Sequence, residues 1–504
     1  MSSSGTKEVK DLKVELVIIG GGGAGLAAAV AAIENGISNV IVLEKRNITG
    51  GNSAMAKGPF AAESPAQRRQ AIIAPRDELF KRYMSWAHLQ INPRIVRAFI
   101  DKSGDTIRWL EEKGLHFDCH HHSPVDMPLT WHVPKGNGKE LMKVLARECQ
   151  KLGVEVLTRT SAKKILIGEM GRITGVLAER KGDEFIIKTK SIIVATGGYG
   201  GNQELLKKHC PESYDKVKCA GIPHTGDGLI MVNEVGAAND GLGTILMAGP
   251  SVDRSTLLRL GTEPDILPVE FTSIQRQPYM VWVNKKGRRF IDETTVFNRY
   301  ESVNAAVRQP DGLSYTLFDN NIVRMMTEQG LVSTVGVGKH IQGQRSKFPA
   351  GLEKELHAQV NKGGMEISES WDGIADWMGA DREVLKAEID EYNIACDKGY
   401  DPVFAKDRIY LEALRTPPYY AIRCKSLMLN TMGGIKINEL MEVLDKQDKP
   451  IPGLYAAGVD AGGWTSDTYC GVLPGTAFGF ALNSGRIAAE NVVRFISRIN
   501  SMNT

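Results

Sequence analysis

The residues best placed to do chemistry in this chain are glycines. In LVIIGGGGAGLAAAVAAIENGISNVIVLEK (16–45), Gly20, Gly22 and Gly25 satisfy G-x-G-x-x-G, Gly23 and Ala24 keep the turn small, and Glu44 follows Gly20 by 24 residues. Backbone without side chains can approach a pyrophosphate. A helix starting there supplies free N–H groups and positive potential, and an acid at this distance can hydrogen-bond a ribose diol. These roles need a strand before the turn and a helix and strand after it. VELVIIG (14–20) reads as a short, β-branched buried parallel strand, LAAAVAAIENG as a small-residue helix ending at Gly36, and NVIVLEK as the second strand. The whole set predicts a bound dinucleotide.

At 504 residues the chain exceeds one compact core, which predicts two or more domains. A net charge of +3 without clustered basic residues gives no electrostatic case for nucleic acid. No apolar run reaches about 18 residues without a charge, so no membrane span is expected. MSSSGTKEVKDLK lacks the apolar stretch of a secretion signal. The seven cysteines are irregularly spaced, with no CxxC, haem-attachment or iron–sulfur pattern. Reduced thiols and a cytoplasmic location are the expectation.

Three further segments distinguish FAD from NAD. ITGGNSAMAKGPFAAESP (48–65) is a second glycine-rich loop where a plain NAD domain would continue its alternation. KSIIVATGGYGGN (190–202) and KPIPGLYAAGVDAGG (449–463) are apolar strands ending in small residues. A long cofactor touched by several strand ends accounts for them better than a short one.

Together GGGGAGLAAA, GGNSAMAKG, ATGGYGGN, HTGDGL, NTMGGIKIN, GLYAAGVDAGG and GTAFGFALNSGRIAAE resemble the flavoproteins of the fumarate reductase/succinate dehydrogenase superfamily, which includes soluble fumarate reductases, urocanate reductases and 3-ketosteroid dehydrogenases. The resemblance runs from about Val14 to Val493. It implies an α/β fold: a Rossmann-like FAD-binding domain, parallel sheet with helices, interrupted by an α+β cap domain. The division is 1–244 and 401–504 for the FAD-binding domain and 245–400 for the cap, which holds the strand YMVWVN (279–284) and the helix REVLKAEIDEYNIACDKG (382–399). Matched motif by motif, FAD contacts fall on Gly20, Gly22, Gly23, Ala24, Gly25, Glu44, Lys45, Gly51, Asn52, Ser53, Lys57, Gly58 and Ala162. They continue with Ala195, Thr196, Gly197, Asn202, Asp227, Gly458, Asp460, Gly475, Thr476 and Ala477. The loop where some relatives attach FAD through a histidine has none here, so FAD is expected to be non-covalent. With one redox centre, electrons must come from or go to an external nicotinamide, flavin, quinone or redox protein.

The chemistry that the resemblance implies is hydride transfer between flavin N5 and the carbon β to a carbonyl or carboxylate, with an acid or base for the neighbouring carbon. The match is uneven here. Arg276 falls where a family arginine relays protons, but Ser273 replaces the relay glutamate. RRFIDE matches the strand end RF-x-NE with Asp292 and Glu293, yet the catalytic arginine's slot is Phe297, and the nearest arginine is Arg299, a candidate for substrate contact or cap packing. Asn430 stands for the histidine before TMGG, and Val472 for the arginine of G-x-N-R-L-G-G. Losing cationic contacts worth about 1.5–3 kcal/mol each disfavours a dicarboxylate. The expected pocket is apolar, lined by Tyr469, Val472, Tyr300 and Trp464. Tyr469 is a proton- or carbonyl-handling candidate, with packing as the alternative, and His132 in TWHVPKGNG is a candidate substrate contact. CHHH (119–122) lacks a spaced partner, so no metal is expected. Arg288 and Arg289 read as a solvated strand edge. The expected function is an FAD-dependent oxidoreductase acting on a C–C bond beside a carbonyl or carboxylate, with a small-molecule substrate more apolar than fumarate. The rivals are ketosteroid-like dehydrogenation and an electron carrier without a small substrate.

Overall fold

The computed structural model describes residues 12–120, 128–252, 273–334, 343–346 and 352–502. The run ahead of the glycine turn forms the strand Leu12–Ile19, buried over its last four residues, and Val40–Glu44 is buried throughout. Continuous apolar strands belong where both faces of a sheet are covered. They lie in a parallel sheet of order Pro450–Ala456, Asp183–Val194, Leu12–Ile19, Val40–Glu44, Glu155–Thr158. Strands from the beginning, middle and end of the chain are thereby neighbours.

The helix Gly23–Glu34 is buried at every position from Gly23 to Ala32, as an all-apolar helix must be. It packs against the last helix, Thr476–Met502. A Cβ on Gly485 would stand 2.2 Å from the Ala24 carbonyl oxygen, so this approach requires a glycine. Two amphipathic helices, Arg76–Trp86 and Pro93–Glu111, flank this core, and the Phe99 ring meets Phe480 of the last helix at 5.6 Å.

A second core draws on residues between Ile274 and Cys424, including Tyr279, Phe318, Tyr392 and Ile422. Its sheet is built on the 17-residue strand Tyr419–Ile435, which pairs antiparallel with Leu313–Asp319, Asn239–Val252 and Met365–Ser368. The helix Arg382–Lys398 packs here, N-capped by Asp381 and closed by Gly399 in the left-handed conformation. Leu414, Tyr420, Ile422 and Cys424 belong to the second core, whereas Ile245, Leu246 and Met247 pack in the first. The strand Tyr419–Ile435 runs from the second core, at Tyr420–Cys424, into the first, at Met428–Ile435. No helix among the described residues is long and apolar enough to cross a membrane.

Candidate functional site

Parallel strands end on one side of the sheet, and ligands of such folds bind outside those ends. Three hydrogen bonds lace four strand ends together here: Gly20 N–H donates to the Leu43 carbonyl at 2.8 Å, Ala195 N–H to Ile19 at 2.8 Å, and Ala457 N–H to Val194 at 2.9 Å. The two glycine loops are joined as well, Gly50 N–H donating to the Gly21 carbonyl at 2.8 Å. Around this junction lies a cavity.

The glycine turn fits a dinucleotide. Gly20 holds φ +113°, and a Cβ there would lie 2.2 Å from the Ala195 carbonyl oxygen. Gly25 lets helix and strand touch, since its Cβ would stand 1.9 Å from the Gly20 oxygen; it packs and does not line the cavity. Gly22 caps the Gly23–Glu34 helix and has nothing within 4 Å of its Cβ position. That open space before a helix N-terminus is where a pyrophosphate would be held. Glu44 sits in the wall, accepting from Gly21 N–H at 3.0 Å and Arg46 N–H at 2.8 Å.

Of the residues expected to contact FAD, Gly20, Gly22, Gly23, Ala24, Glu44, Lys45, Gly51, Asn52, Ser53 and Ala162 line the cavity. Ala195, Thr196, Gly197, Asp227, Gly458 and Ala477 do so too. Lys45 reaches Thr225 Oγ1 at 2.6 Å and Asp227 Oδ2 at 2.7 Å. Burial works against ionisation of Asp227, but hydrogen bonds from Lys45 and Thr225 outweigh it and hold its carboxyl below the usual range. Six other expected contacts lie outside the lining. Lys57 is exposed. Gly58 packs on the His132 backbone, and Gly475 on Phe60. Thr476 is buried at the start of the last helix. Asn202 is a helix cap, accepting from Glu204 and Leu205 N–H at 3.1 Å each. Asp460 is buried behind the wall, accepting from Thr196 Oγ1 at 3.1 Å and Gly197 N–H at 2.9 Å, and burial pushes its carboxyl up to about 7.

The expected substrate and catalytic residues are scattered. Asn430 lines the cavity, with Leu246 and Leu429 from the same pair of strands. Trp464 does not: it is fully buried, stacked on Phe480 at 4.2 Å, its indole N–H donating to the Ala461 carbonyl at 2.8 Å. His132 is a core histidine. Its Nδ1 meets the Thr130 carbonyl at 2.9 Å, an acceptor that assigns the proton to this nitrogen, so Nε2 accepts from Ser64 Oγ at 2.6 Å. Burial drives that ring down to about 4, so it is neutral at pH 7. Tyr469 is buried near Tyr83, and Val472 packs on the main core; neither lines the cavity. Arg276 donates to the Pro250 carbonyl at 3.3 Å. Phe297, in the arginine slot, packs 5.7 Å from Tyr410. Arg299 and Tyr300 begin the helix Arg299–Val307, and their side chains lie outside the described residues, as do His121 and His122. Among the described residues no cluster of His, Cys, Asp or Glu could hold a metal.

Arg289 is not on a solvated edge. It is buried, donating to Glu293 at 3.0 Å and Asp401 at 2.9 Å, while Lys406 Nζ approaches Glu293 at 3.1 Å. Burial opposes ionisation of Glu293, but Lys406 and Arg289 hold it below the usual carboxylate range. Arg288 does remain at the surface, 3.3 Å from Glu388. Sequence reasoning missed Ile222, His224, Leu246, Leu429 and Phe478 in the lining; the signals were the positions of His224 within HTGDGL and of Phe478 within GTAFGFALNSGRIAAE.

Residues 15–471 match the model of a family described as an FAD binding domain. A vinyl phenol reductase of Lactiplantibacillus plantarum is 32% identical over 491 residues, covering 95% of this chain and 96% of its own length. The open form of a flavocytochrome c3 fumarate reductase superposes with a TM-score of 0.74 at 25% identity, over 97% of this chain and 79% of that one. The 3-ketosteroid Δ1-dehydrogenase of Sterolibacterium denitrificans shares the fold, with a TM-score of 0.75 at 18% identity over 96% and 99% of the two chains. A match across most of the sequence, with the glycine cradle and the converging strand ends, makes this chain a member of the FAD-binding-domain family, and FAD its cofactor.

Proposed function

We propose that the chain is a reductase of carbon–carbon double bonds conjugated to a carbonyl, carboxylate or aromatic ring, its substrate more apolar than fumarate. One observation carries the choice of substrate. The second sheet sends Leu246, Leu429 and Asn430 to the cavity, no cation among them, and Phe297, which takes the family's arginine slot by sequence, packs near Tyr410. Bound FAD supplies two-electron hydride chemistry. The glycine cradle would hold it, and among the described residues the side chains that the second sheet sends to the cavity are uncharged. The full-length similarity to a vinyl phenol reductase supports a substrate without paired carboxylates. Electrons reach the enzyme from an external nicotinamide, flavin, quinone or redox protein. A ketosteroid-type reading rested on Tyr469, which lies in the core outside the lining, and no described tyrosine takes its place.

The test is to reduce the purified holoprotein without oxygen and follow its reoxidation by 4-vinylphenol, acrylate, a cinnamate, fumarate and a 3-ketosteroid. Each missing charge-assisted bond weakens dicarboxylate binding about tenfold or more. Fumarate should therefore need at least a tenfold higher concentration than the best enoate or styrene. Fastest reoxidation by fumarate, or by the steroid alone, would overturn the assignment.

A further inference from the structure

A short segment, Ala220–Thr225, crosses the cofactor cavity and is pinned on both sides. Ala220 N–H donates to the Met428 carbonyl at 2.8 Å and Ile222 N–H to Asn52 Oδ1 at 2.7 Å; at the other end Lys45 Nζ holds Thr225 Oγ1 at 2.6 Å. Between the pins, the His224 carbonyl accepts from Gly201 N–H at 2.7 Å, which fixes the backbone carrying the imidazole. The ring lies against Gly197: a Cβ there would come within 2.9 Å of Nε2 and 3.0 Å of Cδ2 and Cε1, so only glycine admits it. It lines the cavity beside Asn430, and its Nδ1 is buried with no hydrogen-bond partner among the described residues. Burial, aided by Lys45 and opposed by a hydrogen bond between the ring and Asn430, pushes the ring down to about 4, so it is a neutral group at pH 7. Polar atoms buried in a ready-made ligand cavity are paired in the liganded state or are costly to keep.

We propose that His224 is a cofactor-binding residue, its Nδ1 hydrogen-bonding a hydroxyl or phosphoryl oxygen of bound FAD from the strap that crosses the cleft. This rests on FAD occupying the cavity. A neutral imidazole suits either partner, accepting from a hydroxyl or donating to a phosphoryl oxygen as the tautomer allows.

The experiment is FAD titration of flavin-free protein, read by quenching of flavin fluorescence, for wild type, His224→Leu and His224→Asn, with thermal melts of each apoprotein. Leucine removes the polar atom at similar volume, whereas the asparagine amide reaches the place of Nδ1. His224→Leu should raise the FAD Kd about tenfold, the loss of one hydrogen bond at a buried site, and His224→Asn should stay within about threefold of wild type. Equal Kd values for wild type and His224→Leu would overturn the inference, as would equal losses in both variants, which packing alone would give. An unchanged FAD Kd with a raised substrate KM would overturn it in favour of a substrate contact. Failure of the wild-type apoprotein itself to bind FAD would refute the cofactor reading beneath it.

Discussion

Replacing Glu293 by Gln removes one charge from a buried set of four. Arg289 and Lys406 carry two positive charges, and Glu293 and Asp401 two negative, so the cluster is neutral. Lys406 is wholly buried, its ammonium also donating to the Met280 carbonyl at 2.9 Å and Tyr392 Oη at 3.2 Å. Glutamine keeps the shape of the acid but leaves one positive charge uncompensated, at a cost of about 3–5 kcal/mol. At roughly 2–4 °C per kcal/mol the melting transition of this unit should fall by roughly 6–20 °C. The deficit should shrink as pH rises. Burial already lowers the Lys406 pKa, and without Glu293 the folded state binds fewer protons than the unfolded chain, so stability climbs with pH. The double variant Glu293→Gln/Lys406→Met restores neutrality and should recover most of the loss, giving a coupling of up to about 3 kcal/mol. Calorimetry of the holoprotein at several pH values, with turnover per bound flavin at 20 °C, checks the set. A single variant that melts with wild type, or one that keeps its melt and loses turnover, would refute the structural role of Glu293.

Two further perturbations separate holding the fold from holding the cofactor. Gly22→Ala meets no protein atom within 4 Å, so the apoprotein should unfold as wild type while FAD affinity drops; Gly25→Ala places its Cβ 1.9 Å from the Gly20 oxygen and should destabilise the apoprotein itself by about 1–3 kcal/mol. Matching denaturation curves for the two apoproteins would sink this division. Asp460, pushed up to about 7, keeps its proton in the folded state over a range where the unfolded chain has lost it, so it makes stability fall as pH rises from about 4 to about 7 and adds no slope above. About three pKa units correspond to roughly 4 kcal/mol. Asp460→Asn should abolish that slope in denaturant unfolding of the holoprotein, and an unchanged slope would contradict it.

The glycine turn, its two strands and the late strand at residue 450 were legible because each element is specified locally. Strand, turn and helix follow from β-branched runs, glycines and alanines, and an acid at the right distance closes the set. The cofactor wall could be read for the same reason, since backbone at strand ends forms most of it. Side chains whose roles depend on tertiary packing could not. His132 looks the same in sequence whether it faces a substrate or satisfies Ser64 and Thr130 in the core. Arg289 beside Arg288 reads as a surface pair until Asp401, 112 residues later, folds against it. Asn202 follows a glycine loop like a phosphate ligand, yet the helix it starts takes its side chain as a cap.

The same distinction governs what a slot-by-slot match with relatives can transfer. Phe297, Asn430 and Val472 fill three slots that the resemblance matches to cationic side chains, and of these only Asn430 lines the cavity. An arginine at Val472 would set a long cation at a partly buried position packed against the main core. An arginine at Phe297 would displace a ring packed near Tyr410. Among the described residues the cations that line the cavity, Lys45 and Arg46, are accompanied by Glu44 and Asp227, and Leu246, Leu429 and Asn430 carry no charge. Fixed charge in the described lining is confined to residues 44–46 and 227, and the proposed preference for a substrate that brings little charge rests on Leu246, Leu429 and Asn430.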